Sequence, residues 1–108
     1  MQTGEQFPGL PGGIDLVDED GGPVLRLHGE VDTLVVSAWQ VEAPATRPAV
    51  AVDASAATFL DCRGLRLLVH ATEATRASGR VPELRRPSRA VQRLVQMTGA
   101  APLFATVP

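Results

Sequence analysis

The chain has 108 residues, of which 44% are apolar, and its formal net charge is −2. This length fits one globular domain, and the acidic balance argues against a phosphate-backbone binder, so we expect no direct nucleic-acid partner. No apolar run approaches the about 20 residues of a membrane span, and the first 13 residues lack the basic start and apolar core of a signal peptide. We therefore expect no membrane association and a cytoplasmic location. All ten basic residues are arginine, which suggests GC-rich coding and a bacterial source.

The first elements in chain order are an N-terminal tail and a β-hairpin. Residues 1–13 hold two prolines and four glycines without a periodic pattern, which predicts a disordered tail followed by a domain over residues 14–108. Residues 14–32 alternate apolar and polar positions around Asp20-Gly21-Gly22. That turn signal between two alternating segments predicts a hairpin.

A short helix and a buried strand follow the hairpin. Residues 33–46 have helical spacing, with Asp32 as the predicted N-cap and Pro44 as the predicted end. The small and branched apolar residues of "PAVAVDAS", 48–55, predict a strand covered by other elements.

The second half of the chain predicts two more helices with a strand between them. Apolar residues recur at helical spacing from Asp61, and Gly79 suits the position just after the helix. Residues 80–87 should form a strand, which must be irregular or at a sheet edge because Pro82 cannot donate a ladder hydrogen bond. Ser88 is the predicted cap of a last amphipathic helix that Gly99 closes, and the final residues "APLFATVP" offer a short strand.

This order, β-β-α-β-α-β-α with a final short strand, predicts the α/β class. Strand–helix–strand units imply parallel pairing with right-handed crossovers, and the opening hairpin adds an antiparallel pair. We expect a single mixed sheet of four to five strands with helices packed on it.

The candidate site is the junction "TFLDCRGL", which contains the only cysteine of the chain. Asp61 is the predicted N-cap of the helix that follows, contributing about 1 kcal/mol. A helix N-terminus beside arginines attracts anions and lowers the pKa of a thiol. Two interpretations stay open at this point: Cys62 and Gly64 are structural residues of a helix start, or the turn presents a small side chain to a partner or a phosphate.

Catalytic and cofactor signals are missing from the sequence. The two histidines, His28 and His70, lie inside a predicted strand and a predicted helix, and neither spacing to Cys62 indicates a catalytic pair. No metal-ligand spacing, dinucleotide fingerprint or phosphate-binding glycine loop occurs. We therefore expect no enzyme, no catalytic residue, no metal and no cofactor.

Three segments in chain order resemble STAS domains of the anti-sigma factor antagonist type. "LRLHGEVDTL" resembles the family's strand that ends in Gly-Glu-hydrophobic-Asp. "AVAVDASAATFLDCRGLRLLVHA" resembles its core motif, Phe-hydrophobic-Asp-Ser-x-Gly-Leu. "SGRVPELRRPSRAVQRLVQMTGA" resembles its closing strand and its Pro-Ser helix start. The resemblance covers nearly the whole chain after Gly13.

The resemblance implies a protein-binding regulator of transcription. Family members bind an anti-sigma factor that is also a serine kinase of the GHKL ATPase type, and phosphorylation of the motif serine breaks the complex. The corresponding partner-binding residues here are Glu30, Asp32, Asp61, Cys62, Arg63, Gly64, Leu65 and Arg66. The phosphoacceptor position is Cys62 instead of serine, so the resemblance predicts an antagonist that is not phosphorylated at residue 62 and behaves as an always-on or degenerate member of the family.

Three alternatives remain beside this hypothesis. In the first, Cys62 is a low-pKa thiolate, and its oxidation replaces phosphorylation as the source of negative charge. In the second, Cys62 is an enzymatic nucleophile, which requires a base within hydrogen-bond reach. In the third, the chain is a small-ligand-binding STAS module.

Overall fold

One mixed sheet lies at the centre of the computed structural model, which describes residues 9–42 and 47–108. Its five strands follow the chain order β1-β2-β3-β4-β5. Strand β1 is antiparallel to β2, and the other neighbours are parallel. The predicted α/β class and mixed sheet are confirmed. The strands are β1 Gly12–Glu19, β2 Gly22–Val31, β3 Ala51–Leu60, β4 Glu83–Arg85 and β5 Ala105–Val107.

Helices connect the parallel strands, as the predicted order requires. The helices are α1 Thr33–Glu42, α2 Cys62–Ala71, α3 Glu73–Ala77 and α4 Arg89–Met97, with a one-turn 3-10 helix at Ala101–Leu103. Ser88 caps α4, because its Oγ accepts a hydrogen bond from the Val91 amide at 3.3 Å. The predicted end of α1 at Pro44 lies outside the described residues. None of the described helices is long and apolar enough to cross a membrane.

The N-terminal hairpin starts earlier than predicted. Strand β1 begins at Gly12, so ordered pairing extends into the predicted tail, of which residues 1–8 lie outside the described part. The Glu30 amide donates to the Pro11 carbonyl at 3.1 Å. Gly29 permits this approach with a φ of +65°, because a Cβ there would lie 2.9 Å from the Cα of Gly12. The predicted turn is confirmed, since Asp20 and Gly21 connect the closing pair of the hairpin.

Strand β3 is displaced from the predicted span 48–55 and reaches the candidate site. It starts at Ala51 and continues through Leu60. Its pairing with β2 shifts register twice, so β3 holds two more residues than β2 over the same span. These bulges break the alternation of buried and exposed side chains that identifies a strand in a sequence. The predicted end at residue 55 was therefore wrong.

The helix predicted from Asp61 to Gly79 is two helices joined at Thr72. The Thr72 hydroxyl is buried and donates to the Leu68 carbonyl at 2.8 Å, while Arg76 donates to the Val69 carbonyl at 2.6 Å. A threonine that bonds back to the preceding turn competes with the backbone ladder and bends a helix. Gly79 follows α3 with a φ of +93°, as its predicted position requires.

Pro82 precedes β4, and β4 lies in the interior of the sheet. β4 pairs with β3 on one side and β5 on the other without a register shift, so the prediction of an irregular or edge strand over residues 80–87 is wrong. Pro82 precedes the strand, so its missing amide removes no ladder hydrogen bond within it. The strand has three residues, and the Pro82 carbonyl accepts from the Ala105 amide at 2.9 Å.

The hydrophobic core lies between one face of the sheet and the helices. Leu25, Leu27 and Val52 from the strands pack in one cluster with residues of α2 and α4 that include Leu68, Val91 and Val95. The clustered side chains are at most 9% exposed, and burial of each large one contributes about 1.5–3 kcal/mol. This core fixes the two strand ends from which the candidate site is built.

Candidate functional site

The candidate site lies where β2 and β3 end side by side. Glu30 pairs with Phe59 and Val31 with Leu60 in parallel register. One residue further along each strand, Asp32 and Asp61 precede the helices α1 and α2. Two helix N-termini therefore start at the same edge of the sheet, each behind an aspartate.

Asp61 caps α2 as predicted. Its Oδ1 accepts a hydrogen bond from the Gly64 amide at 2.8 Å, and its backbone is extended, with ψ at 179°. A capping carboxylate satisfies one of the free amides of the first turn and compensates the positive end of the helix dipole. The Asp61 amide also donates to the Val31 carbonyl at 3.3 Å, which joins the cap to the end of β2.

Asp32 caps α1 in the same way, which confirms the second predicted cap. Its Oδ1 accepts from the Val35 amide at 3.0 Å. The next residue, Thr33, donates its hydroxyl to Oδ2 of Asp61 at 3.3 Å. The two helix starts are thus linked by a side-chain hydrogen bond between residues 28 positions apart in the chain.

Gly64 explains why the first turn of α2 can lie so close to the strands. It is buried, and a Cβ at this position would lie 2.5 Å from Cδ1 of Leu60 and 3.1 Å from the carbonyl oxygen of Val31. Carbon atoms in ordinary contact stay about 3.5–4.0 Å apart. The glycine therefore serves internal packing, which is the structural interpretation that the sequence left open.

The family of the chain follows from a comparison with protein-family models. The model described as "Mlab, STAS domain" matches residues 14–104. The chain belongs to the STAS domain family. No curated protein matches it in sequence.

Solved structures of STAS proteins share the fold. The anti-sigma factor antagonist SpoIIAA in its unphosphorylated form aligns with a TM-score of 0.65 and 20% identity, covering 88% of each chain. An anti-sigma factor antagonist from Mycobacterium paratuberculosis aligns with a TM-score of 0.65 and 24% identity, covering 88% of this chain and 84% of that one. At these identities the likeness establishes the fold, and the predicted resemblance to STAS domains is confirmed.

The predicted partner-binding residues of this STAS domain divide into an exposed and an interior group. Exposed residues are Glu30, Cys62, Arg63 and Arg66, and half-buried residues are Asp32 and Asp61. Gly64 and Leu65 are buried beneath them, with Leu65 5% exposed. We call the residues at the ends of β2 and β3 and at the starts of α1 and α2 the twin-cap surface: Glu30, Asp32, Thr33, Leu34, Phe59, Asp61, Cys62, Arg63 and Arg66.

Three members of the twin-cap surface were missed in the sequence. Phe59 is 45% exposed and stands beside Glu30 on the neighbouring strand, and Leu34 at the start of α1 is 64% exposed. Thr33 was missed because its contact with Asp61 depends on strand register. Leu34 and Phe59 could have been found in the sequence, because each lies two residues from a predicted capping aspartate.

Cys62 has no histidine beside it. The thiol is exposed at the first position of α2. His70 lies eight residues further along the same helix, about 12 Å away along its axis, and its Nδ1 is 3.6 Å from the Glu73 carboxylate. His28 pairs across the sheet with Ala56, well before the strand ends, and lies 3.9 Å from Asp15. A cysteine–histidine catalytic pair therefore has no geometric support.

The sheet carries a polar depression outside the predicted site. Its volume is about 320 Å³, and its lining includes Arg26, His28, Asp53 and Ser55. Burial opposes ionisation of Asp53, but hydrogen bonds from Ser55 and the charges of nearby arginines outweigh it, so the pKa of Asp53 is lowered. Hydrogen bonds to Glu19 and then Glu83 raise the pKa of the neighbouring Arg85. Among the described residues, no group of histidine, cysteine and acidic side chains is arranged to hold a metal ion.

Proposed function

We propose that this STAS protein is a non-catalytic regulator that binds an anti-sigma factor of the GHKL serine kinase type. By occupying that partner it controls how much sigma factor is free for transcription. The observation that carries the proposal is the match of the family model over residues 14–104, together with a fold shared with two anti-sigma factor antagonists. The cytoplasmic location follows from such a role.

The twin-cap surface has the composition expected of a binding surface. The surface exposes two apolar side chains, Leu34 and Phe59, and three charged ones, Glu30, Arg63 and Arg66, with Phe59 paired beside Glu30. Protein interfaces combine an apolar centre with a charged rim, and arginine and aromatic residues contribute most to affinity. Two capped helix starts and two paired strand ends carry these groups, and such preorganised backbone lowers the entropic cost of binding.

Cys62 changes the regulation of this surface. A thiol stands where the family motif has the hydroxyl that accepts phosphate, and a serine kinase transfers to a hydroxyl oxygen. We therefore propose that residue 62 is not phosphorylated and that the surface itself is retained.

Binding to the GHKL-type kinases of the source organism tests the proposal. We expect the purified chain to bind at least one of them without ATP, as measured by isothermal titration calorimetry. Arg63→Glu should weaken that complex by about tenfold, which corresponds to about 1.4 kcal/mol for an arginine contact in the interface.

A matched charge reversal controls this experiment. Arg80→Glu also reverses an exposed arginine, but Arg80 precedes β4 and so lies at the opposite end of the parallel strands. Its affinity should stay within twofold of the wild type. Absence of binding to every such kinase, or equal losses for both variants, would refute the proposed surface.

A second candidate function follows from the exposure of the thiol. Cys62 at a helix N-terminus next to Arg63 has the setting of an oxidisable cysteine. The measurement is the alkylation rate of Cys62 against pH. Alkylation no faster than that of a free thiol removes the rationale for a redox sensor, and distinctly faster alkylation supports it.

A further inference from the structure

Thr33 and Cys62 occupy equivalent positions on neighbouring parallel strands. Val31 pairs with Leu60, and each strand continues through a capping aspartate into the first residue of a helix. That first residue is Thr33 in α1 and Cys62 in α2. The Thr33 hydroxyl lies 3.3 Å from Oδ2 of Asp61, the residue that precedes Cys62, so the two helix starts are close in space.

Thr33 carries the hydroxyl that position 62 lacks. The residue is exposed, and its Oγ1 donates to Oδ2 of Asp61 at 3.3 Å. Asp61 is also the aspartate that immediately precedes Cys62 and caps its helix. A hydroxyl oxygen next to a carboxylate that accepts its proton is therefore present at the same surface, one strand away.

We propose that Thr33 is the phosphoacceptor of the twin-cap surface. The inference rests on the proposed function, because the phosphoryl donor is the ATP bound by the kinase partner. The antagonist would then be regulated through an acceptor on α1 instead of being always able to bind its partner.

The reaction is a single phosphoryl transfer. The Thr33 Oγ1 attacks the γ-phosphorus of ATP, an oxygen–phosphorus bond forms, and the bond between the γ-phosphorus and the bridging oxygen breaks to release ADP. The hydroxyl proton leaves to a carboxylate, and Asp61 already accepts that hydrogen bond. Positioning of the acceptor contributes much of the catalysis in such transfers.

Phosphate on Thr33 would alter the binding surface through charge. A phosphothreonine carries about −1.5 to −2 charge at pH 7. It would stand on the oxygen that lies 3.3 Å from the Asp61 carboxylate, one residue after Asp32, and it would remove the hydrogen bond that links the two helix starts. Like charges at this distance repel, so we expect the modified surface to release its partner.

Other hydroxyls near the motif have different settings. Ser55 and Thr58 lie within β3, six and three residues before Asp61. The amide of Ser55 donates to Asp53 within the polar depression, away from the helix starts. Thr58 is exposed in the irregular part of β3 and makes a suitable control because it offers a second threonine near the same edge.

The test uses the full chain and the kinase that it binds without ATP. After incubation with ATP, mass spectrometry with fragment ions should locate one phosphate on Thr33, and calorimetry should show at least tenfold weaker binding of the modified chain. Thr33→Val should abolish the phosphate, Thr33→Ser should restore it, and Thr58→Val should be modified like the wild type.

The outcomes separate this inference from the proposed function. If the kinase binds but phosphate is absent from Thr33, or lies at another residue, the assignment of Thr33 is wrong and the binding function stands. Thr33 phosphorylation without loss of affinity contradicts its regulatory role. If no kinase of this type binds, the proposed function fails and this inference fails with it. Circular dichroism of each variant checks that the fold is intact.

Discussion

Gly64→Ala probes the closest packing in the candidate site. The added Cβ would lie 2.5 Å from Cδ1 of Leu60 and 3.1 Å from the carbonyl oxygen of Val31. The first contact requires a displacement of about 1 Å to reach an ordinary carbon–carbon distance. Leu60 is only 5% exposed, so its side chain has little free space to move into.

The expected loss of stability combines two opposing effects. Overpacking of this kind costs about 1–3 kcal/mol, and alanine is favoured over glycine in a helix by about 1 kcal/mol. The net destabilisation should be about 1 kcal/mol, which lowers the Tm of a domain of this size by roughly 4–8 °C. The Val31 carbonyl also accepts the Asp61 amide, so the displacement extends to the α2 cap.

Urea denaturation of Gly64→Ala beside Gly21→Ala measures this effect. A Cβ at Gly21 would meet no atom within 4 Å, so that variant should stay within about 0.5 kcal/mol of the wild type. If Gly64→Ala is as stable as the wild type, or more stable, the helix start has more free space than these distances indicate. The explanation of the motif glycine would then be wrong.

Two further predictions concern carboxylates. Asp61→Ala should lower the free energy of unfolding by about 1–2 kcal/mol because the Gly64 amide loses its acceptor. Asp61→Asn keeps an accepting oxygen and should lose less stability in urea denaturation. Equal losses for the two variants would contradict the capping role. The pKa of Asp53 is lower in the folded state than its ordinary value of 3.8. The ionised carboxylate therefore stabilises the fold fully at pH values above 3.8, and this stabilisation is lost as the pH falls through the lower pKa of the folded state. Asp53→Asn should therefore destabilise the protein at pH 7, by about 1–2 kcal/mol, and the difference from the wild type should shrink below pH 3; a difference that does not depend on pH would refute the assignment.

Local signals in the sequence predicted the turns and caps correctly. Asp20-Gly21 closes the hairpin, and Asp32, Asp61 and Ser88 cap their helices as expected. Each signal depends on hydrogen bonds within a few residues. Such contacts are specified by the identity and spacing of neighbouring residues, which a single sequence contains.

Features that depend on pairing between distant segments were not predicted. The last five residues of β3 were missed because two register shifts interrupt the alternation of its side chains. The break at Thr72 was missed for a local reason, because helical spacing alone does not reveal whether a threonine hydroxyl bonds back to the preceding turn. The link from Thr33 to Asp61 requires the register of β2 against β3, and this register is set by the whole core.

The two extra residues in β3 lengthen the strand without turning its end over. Arg26 and Asp53 point to the outer face at one end of the paired region, and Val31 and Leu60 are both buried at the other. Each register shift places one additional residue of β3 opposite β2, so the pairs on either side of it keep their faces. Loss of a single bulge residue such as Thr58 would therefore leave Leu60 inward and Phe59 outward. Related chains can differ by one residue at each bulge and still keep the two capping aspartates side by side, so a one-residue gap in an alignment is best placed there.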